Sequence, residues 1–108
     1  MIVRTWAATT SREKNDQYLR TVRELVLPRF ERAEGYLGAY FLRKDVGPVC
    51  HYLVLTYWES MDAVRLLAGD DPARAYIPDE IRAALDQCDD TAEHFEVVIE
   101  HGTPGRRT

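Results

Sequence analysis

Ten consecutive residues near the middle of the chain, 49–58, read VCHYLVLTYW and contain no Asp, Glu, Lys or Arg. Their β-branched and aromatic content favours a strand. The run is half as long as the roughly 20 residues that span a bilayer, so it belongs inside a folded domain. Side chains alternate across a strand, and both alternating sets are apolar here: Tyr52, Val54 and Trp58 on one side, Leu53, Leu55 and Tyr57 on the other. A fold built around this strand must therefore cover both faces of its sheet.

Three further strands are predicted. Residues 2–9 alternate, with Ile2, Arg4, Trp6 and Ala8 on one side and Val3, Thr5, Ala7 and Thr9 on the other. Residues 36–43 form a second strand, and the turn formers of 44–48 join it to the apolar run as an antiparallel hairpin. Residues 92–100 alternate again, with Phe95, Val97 and Ile99 on one face. Between the first two strands, the TSRE run at 10–13 has capping-box spacing with Thr10 at the cap. The helix that follows carries Tyr18, Leu19, Val22, Leu25, Val26 and Phe30 at helical spacing, is interrupted at Pro28, and ends at Gly35. Ser60 caps a second helix bearing Met61, Val64, Leu67 and Ala68. Asp70-Asp71-Pro72 reads as another helix start, and a last short helix places Ile81, Ala84, Leu85 and Cys88 on one stripe.

The order is thus β-α-β-β-α-β, an α+β chain of the ferredoxin-like type with a four-stranded antiparallel sheet. One domain is expected over residues 1–100, and residues 101–108, rich in turn formers, read as a frayed tail. Helices can cover only one sheet face. A second copy of the chain is the simplest cover for the other, giving a homodimer through the open face.

Fourteen Lys and Arg against eighteen Asp and Glu leave a net charge of −4. A mildly acidic domain has no general attraction for nucleic acid or anionic membrane, and neither is expected as a partner. No signal-peptide pattern opens the chain, so a cytoplasmic location is expected. Cys50 and Cys88 form neither a CxxC pair nor a disulfide framework and read as reduced, packed thiols.

Several runs resemble the antibiotic biosynthesis monooxygenases, members of the small dimeric α/β-barrel proteins. They are GYLGAY at 35–40, HYLVLTYWES at 51–60, AGDD at 68–71 with AYIPDE at 75–80, and EHFEV at 93–97. The resemblance covers residues 1 to about 100, and the passage from strand through Trp-Glu-Ser into a helix is its most telling part. It implies two sheets facing each other across a dimer, with a ligand pocket between sheet and helices in each protomer. It also implies oxidation of an electron-rich phenolic or polyketide-like aromatic by O2 with no metal or other cofactor. Haem-degrading relatives use an asparagine on the first strand, a tryptophan on the second helix and an axial histidine beyond it. This sequence departs from that pattern: the first strand has no asparagine, and Leu66, Leu67, Tyr76 and Ile77 stand where the other two residues fall.

Within that expectation His51 is the candidate base. An imidazole in so apolar a strand is expected to stay neutral and to accept a phenolic proton, the alternative being a histidine bonded to its surroundings. Arg4 and Tyr76 are candidates for holding an oxyanion. For Arg4 the alternative is a cross-strand pair with an acid such as Glu96, and for Tyr76, which lies between two prolines in a possible lid, ordinary surface packing. Trp6 and Tyr40 are expected to wall an aromatic substrate cavity, or else to pack as core. His94 stands beside a carboxylate that would favour its protonated form, or at a solvated strand end. No metal site is expected, since His51, His94 and His101 lack ligand spacing. No nucleophile elbow or phosphate loop is present. The reading is a cofactor-independent monooxygenase acting on a small aromatic ligand; the alternatives are a non-catalytic ligand-binding or structural homodimer and a ligand-sensing domain acting through a partner chain.

Overall fold

A computed structural model describes residues 1–102. The expectation for residues 103–108 lies outside them. The elements are β1 (Ile2–Ser11), α1 (Arg12–Thr21), a π-helical turn (Val22–Val26), α2 (Leu27–Arg32), β2 (Tyr36–Val46), β3 (Val49–Trp58), α3 (Met61–Ala68), α4 (Asp79–Ala83), β4 (Gln87–Cys88) and β5 (Glu93–Glu96). The sheet is antiparallel throughout, in the order β2-β3-β1, with β4 and β5 both pairing along the far edge of β1. The α+β, ferredoxin-like architecture is the expected one, except that the last strand runs over 93–96 and not the expected 92–100, and the two-residue β4 is added beside it. β5 pairs Ile2–Thr5 and β4 pairs Ala8 and Thr9, so two short pieces share one edge.

The registers assign the faces. Arg4 lies opposite Thr56, Trp6 opposite Val54 and Ala8 opposite Tyr52, while Phe41 lies opposite Val54 on the other side of β3. These side chains share the face under the helices. The core there holds Ala8, Tyr18, Val22, Cys50, Tyr52, Ile81, Ala84 and Leu85, with a second cluster of Trp58, Ala63 and Val64. Trp58 is fully buried and meets Phe30 and Tyr36 edge-on. Its indole N–H donates to Thr56 Oγ1 at 2.8 Å, which satisfies the one polar atom that burial would strand.

Local chemistry explains the boundaries. The first helix is capped by Ser11, whose hydroxyl accepts from Lys14 N, not by Thr10. Thr10 is fully buried and donates to the Ala84 carbonyl at 2.8 Å, so a long-range partner takes it out of the capping role. Before Pro28 the ladder slips into the π-turn and resumes with proline in the first turn of α2, where no N–H is needed. Gly35 has a φ of 82°, and a Cβ on it would stand 2.5 Å from Ala63 Cβ. Only glycine permits both that backbone and that approach to α3. Ser60 caps α3 as expected, accepting from Ala63 N at 3.2 Å.

The expected helix start at Asp70-Asp71-Pro72 is not formed. Residues 69–78 run as an irregular strap, joined to the next loop by a bridge between Arg74 and Thr91 and by Ala75 N donating to the Asp90 carbonyl at 2.9 Å. Cys88 likewise leaves the expected helical stripe and pairs with Ala8 in β4. Both cysteines are free.

Candidate functional site

Two small cavities of about 60 Å³ each adjoin between the sheet and the helical layer. They share Trp6, Phe30, Val54 and Tyr76 as walls, and are described together as the two lobes of one chamber. The first lobe is almost wholly apolar, walled by Tyr18, Val22, Phe41 and Ile81. The second adds Arg4, Thr56, Leu67 and Ala75. The strap carries Tyr76 over the junction of the lobes. Arg29 donates to the Tyr76 hydroxyl, which leaves the phenolic hydrogen free to donate in turn.

Arg4 is 7% exposed and pairs with no acid among the described residues, Glu96 included. Its Nη1 donates to the Pro72 carbonyl at 2.6 Å and contacts His94 Nε2 at 2.9 Å, and Nη2 donates to the Arg74 carbonyl at 3.0 Å. The guanidinium therefore fastens the strap to β1. Burial pushes it below its ordinary pKa, yet three acceptors keep it ionised. His94, as acceptor for Arg4, carries its proton on Nδ1. Burial, and then the Arg4 charge, push its imidazole below the ordinary value. This is the opposite of the expectation that a neighbouring carboxylate would hold it protonated: the strand pairing turns His94 toward Arg4.

The chamber thus unites three of the five site residues named from sequence: Arg4, Trp6 and Tyr76. His51 and Tyr40 are not there. Both are exposed on the open sheet face, His51 opposite Thr9 and Tyr40 opposite Leu55. His51 lines a broad groove of about 700 Å³ with Thr9, Leu42, Lys44 and Leu53, on the side of the sheet away from the helices. It cannot act as base on a ligand held beside Trp6, because strand alternation puts the sheet itself between them. The same geometry corrects the expected pairing of Trp6 with Tyr40 as cavity walls; Phe30 and Val54 take that place. Sequence reasoning missed Thr56 and Arg29. Thr56 could have been found from its shared strand face with Trp58, whereas Arg29 reaches Tyr76 only through tertiary packing.

Residues 1–77 match the family described as antibiotic biosynthesis monooxygenase. The chain belongs to that family. No curated protein sequence matches it. Among solved structures it is similar to a point mutant of MhuD, the haem degrader of Mycobacterium tuberculosis, bound to two manganese protoporphyrin IX per active site. That likeness is at 25% identity and TM-score 0.61, covering 95% of this chain and all of the other. It is also similar to SnoaB, a cofactor-independent oxygenase from Streptomyces nogalater, at 20% identity and TM-score 0.55 over 97% of this chain and 98% of the other. A third likeness is to the ActVA-Orf6 monooxygenase of Streptomyces coelicolor in complex with nanaomycin D, at 16% identity and TM-score 0.59 over 96% and 92%. At the last two identities the likeness establishes the fold. Among the described residues no helix is long and apolar enough to cross a membrane, and no cluster of His, Cys, Asp or Glu has the makings of a metal site.

Proposed function

We propose that this chain is a monooxygenase that oxidises a phenolic aromatic with O2, without a bound cofactor, in the two-lobed chamber under its helices. One observation carries the reading: an aromatic-walled cavity with a buried guanidinium at one end and an oriented phenol at its middle. Family membership and the likeness to SnoaB and ActVA-Orf6 support it. In this chemistry a substrate methylene conjugated with a phenolate becomes a carbonyl. One oxygen atom of O2 enters the product and the other leaves as water. The four electrons that reduce O2 come from the substrate, so no external reductant is needed.

The chamber's part is to favour the substrate anion. Arg4 and Tyr76 offer hydrogen bonds to a developing oxyanion, Arg4 from a buried position and Tyr76 from the exposed strap. Neither lobe is lined by a carboxylate or an imidazole. The residues present lower the substrate's own pKa instead of taking its proton. A tetrapyrrole does not suit this chamber, since cofactor and drug-sized ligands occupy pockets of about 300–1,000 Å³.

The working unit in this proposal is a cytoplasmic homodimer, in keeping with two free thiols. The open face exposes Tyr40, Leu42, Leu53 and Phe95, and a second copy offers a patch of the same chemistry by symmetry. Oxygen-electrode assays with a panel of hydroquinones and single-ring phenols that carry a benzylic methylene test the activity. Enzyme-dependent O2 uptake with at least one of them, lost in Arg4→Gln, is expected; no uptake across the panel refutes it.

A further inference from the structure

The second lobe is polar in one sense only. Arg4 Nη1 is occupied by the Pro72 carbonyl and His94, and Nη2 gives one hydrogen to the Arg74 carbonyl. Its Nε–H has no partner among the described residues. No fully buried side-chain N or O among the described residues is left unpaired, so this N–H keeps some accessible surface, and Arg4 is one of the residues that line the cavity. Thr56 is 4% exposed, and its Oγ1 already accepts from the Trp58 indole at 2.8 Å, so its own hydrogen is left to donate. The Tyr76 hydroxyl is in the same position, with Arg29 donating to it. Each of these three groups has a hydrogen left to donate and lines the lobe.

The charge is one-sided as well. The three acceptors around Arg4 are neutral dipoles, and no carboxylate lies within ion-pair distance among the described residues. A guanidinium buried without a counter-ion bears a desolvation penalty that an incoming anion relieves. A neutral phenol relieves none of it. Size narrows the class further: an apolar cavity of ~150 Å³ holds a benzene, and the two lobes at about 60 Å³ each approach that volume together.

We propose that the ligand of this chamber is a single-ring aromatic that arrives as an anion, a carboxylate or a stable phenolate, with its charged oxygens in the Arg4–Thr56 lobe and its ring between Trp6, Phe30 and Tyr76. Thr56 is a specificity-determining residue in this arrangement. The inference deepens the reading above and rests on it only for the choice of chamber.

Benzoate and its neutral isostere benzamide are the probes, titrated calorimetrically into the whole protein. Benzoate is expected to bind about tenfold more tightly or better, as charge-assisted hydrogen bonds outweigh neutral ones. Arg4→Gln should erase that preference. Because Arg4 also fastens the strap, Thr56→Val is the second variant; it retains the guanidinium and should weaken benzoate several-fold while changing benzamide less. Equal binding of the two probes, no benzoate binding at millimolar concentration, or a preference untouched by both variants overturns the inference. The oxygen assay separates the two proposals. Benzoate preference without O2 uptake by any substrate leaves the anion site standing and removes the oxygenase. Uptake with neutral phenols that benzoate does not inhibit does the reverse.

Discussion

The two faces of the sheet are made of similar residues and do different things. Under the helices β3 presents Tyr52, Val54, Thr56 and Trp58, all buried; on the other side it presents His51, Leu53, Leu55 and Tyr57, all at least partly open to solvent. The helix face closes around a small chamber because the strap, held by Arg4, brings Tyr76 across it. The open face is broad and apolar with no internal cover. Polarity alone does not separate the face that the helices cover from the one left open. In the proposal above, the buried Arg4 marks the side on which a small ligand binds.

The sharpest way to break this contrast is to charge the open face. Leu53→Asp places a carboxylate where the proposed partner would bury it unpaired, and the dimer should weaken on the order of a hundredfold to a thousandfold. Light scattering across a concentration series reads the change. A wild-type protein that is a well-folded monomer at every concentration would show that the open face needs no second copy.

On the helix face the largest effect is expected at Trp58. Trp58→Ala removes a fully buried indole and its contacts with Phe30 and Tyr36, and orphans the support under α3. A loss of about 3–5 kcal/mol in chemical denaturation is expected. A loss below about 1 kcal/mol would mean that the second core cluster collapses onto the space and does not brace the chamber wall.

Tyr76→Phe retains the ring over the lobe junction and deletes one donor. About a tenfold fall in kcat with little change in folding is expected, the usual scale for losing a hydrogen bond made to developing charge. An unchanged kcat would leave Tyr76 as a wall of the chamber alone.

Acid provides a gentler probe. The folded pKa of His94 lies below its unfolded value, because of burial first and the Arg4 charge second. The unfolded chain then takes up this proton before the folded one does. The stability tied to the neutral ring is complete above about pH 6.5, the usual imidazole value, and is lost as pH falls through the lower folded pKa. Arg74 on the strap and Glu93 beside it on β5 are the other charges nearby in sequence and pairing. His94→Gln preserves an acceptor for Arg4 without the titration. Its denaturation midpoint should fall less steeply than that of the wild type below pH 6.5; parallel curves would show that the Arg4–His94 contact carries no pH dependence.

Much of this was legible in the chain because it depends on short periods. The bounds of β3, the Ser60 cap and the interruption at Pro28 follow from residues that act on their near neighbours. What failed depends on distant ones. Asp70-Asp71-Pro72 has every local mark of a helix start, but the carbonyls of Pro72 and Arg74 are taken by an arginine about seventy residues earlier in the chain. Thr10 has every mark of a cap and is claimed instead by Ala84. The site was half legible for the same reason. Alternation links Arg4 to Trp6 and separates His51 from Trp58, yet with both faces apolar nothing local says which one the helices cover.

His51 therefore gives the most exacting test, because the expected effect is smallest. From sequence it was the natural base, the one imidazole in the most apolar strand. In the structure it is exposed on the open face beside Leu53 and Lys44, with the thickness of the sheet between it and Trp6. A proton acceptor must come within about 3 Å of the proton it takes, directly or through one water, and no rotation about the side-chain bonds of His51 carries it through a hydrogen-bonded sheet. His51→Gln should leave kcat per protomer within about twofold of the wild type and shift the dimer equilibrium slightly if at all, since glutamine retains a polar side chain at an exposed position. A fall of a hundredfold or more in O2 uptake, with the dimer intact, would place the chemistry in the open-face groove and reverse the assignment of the two faces.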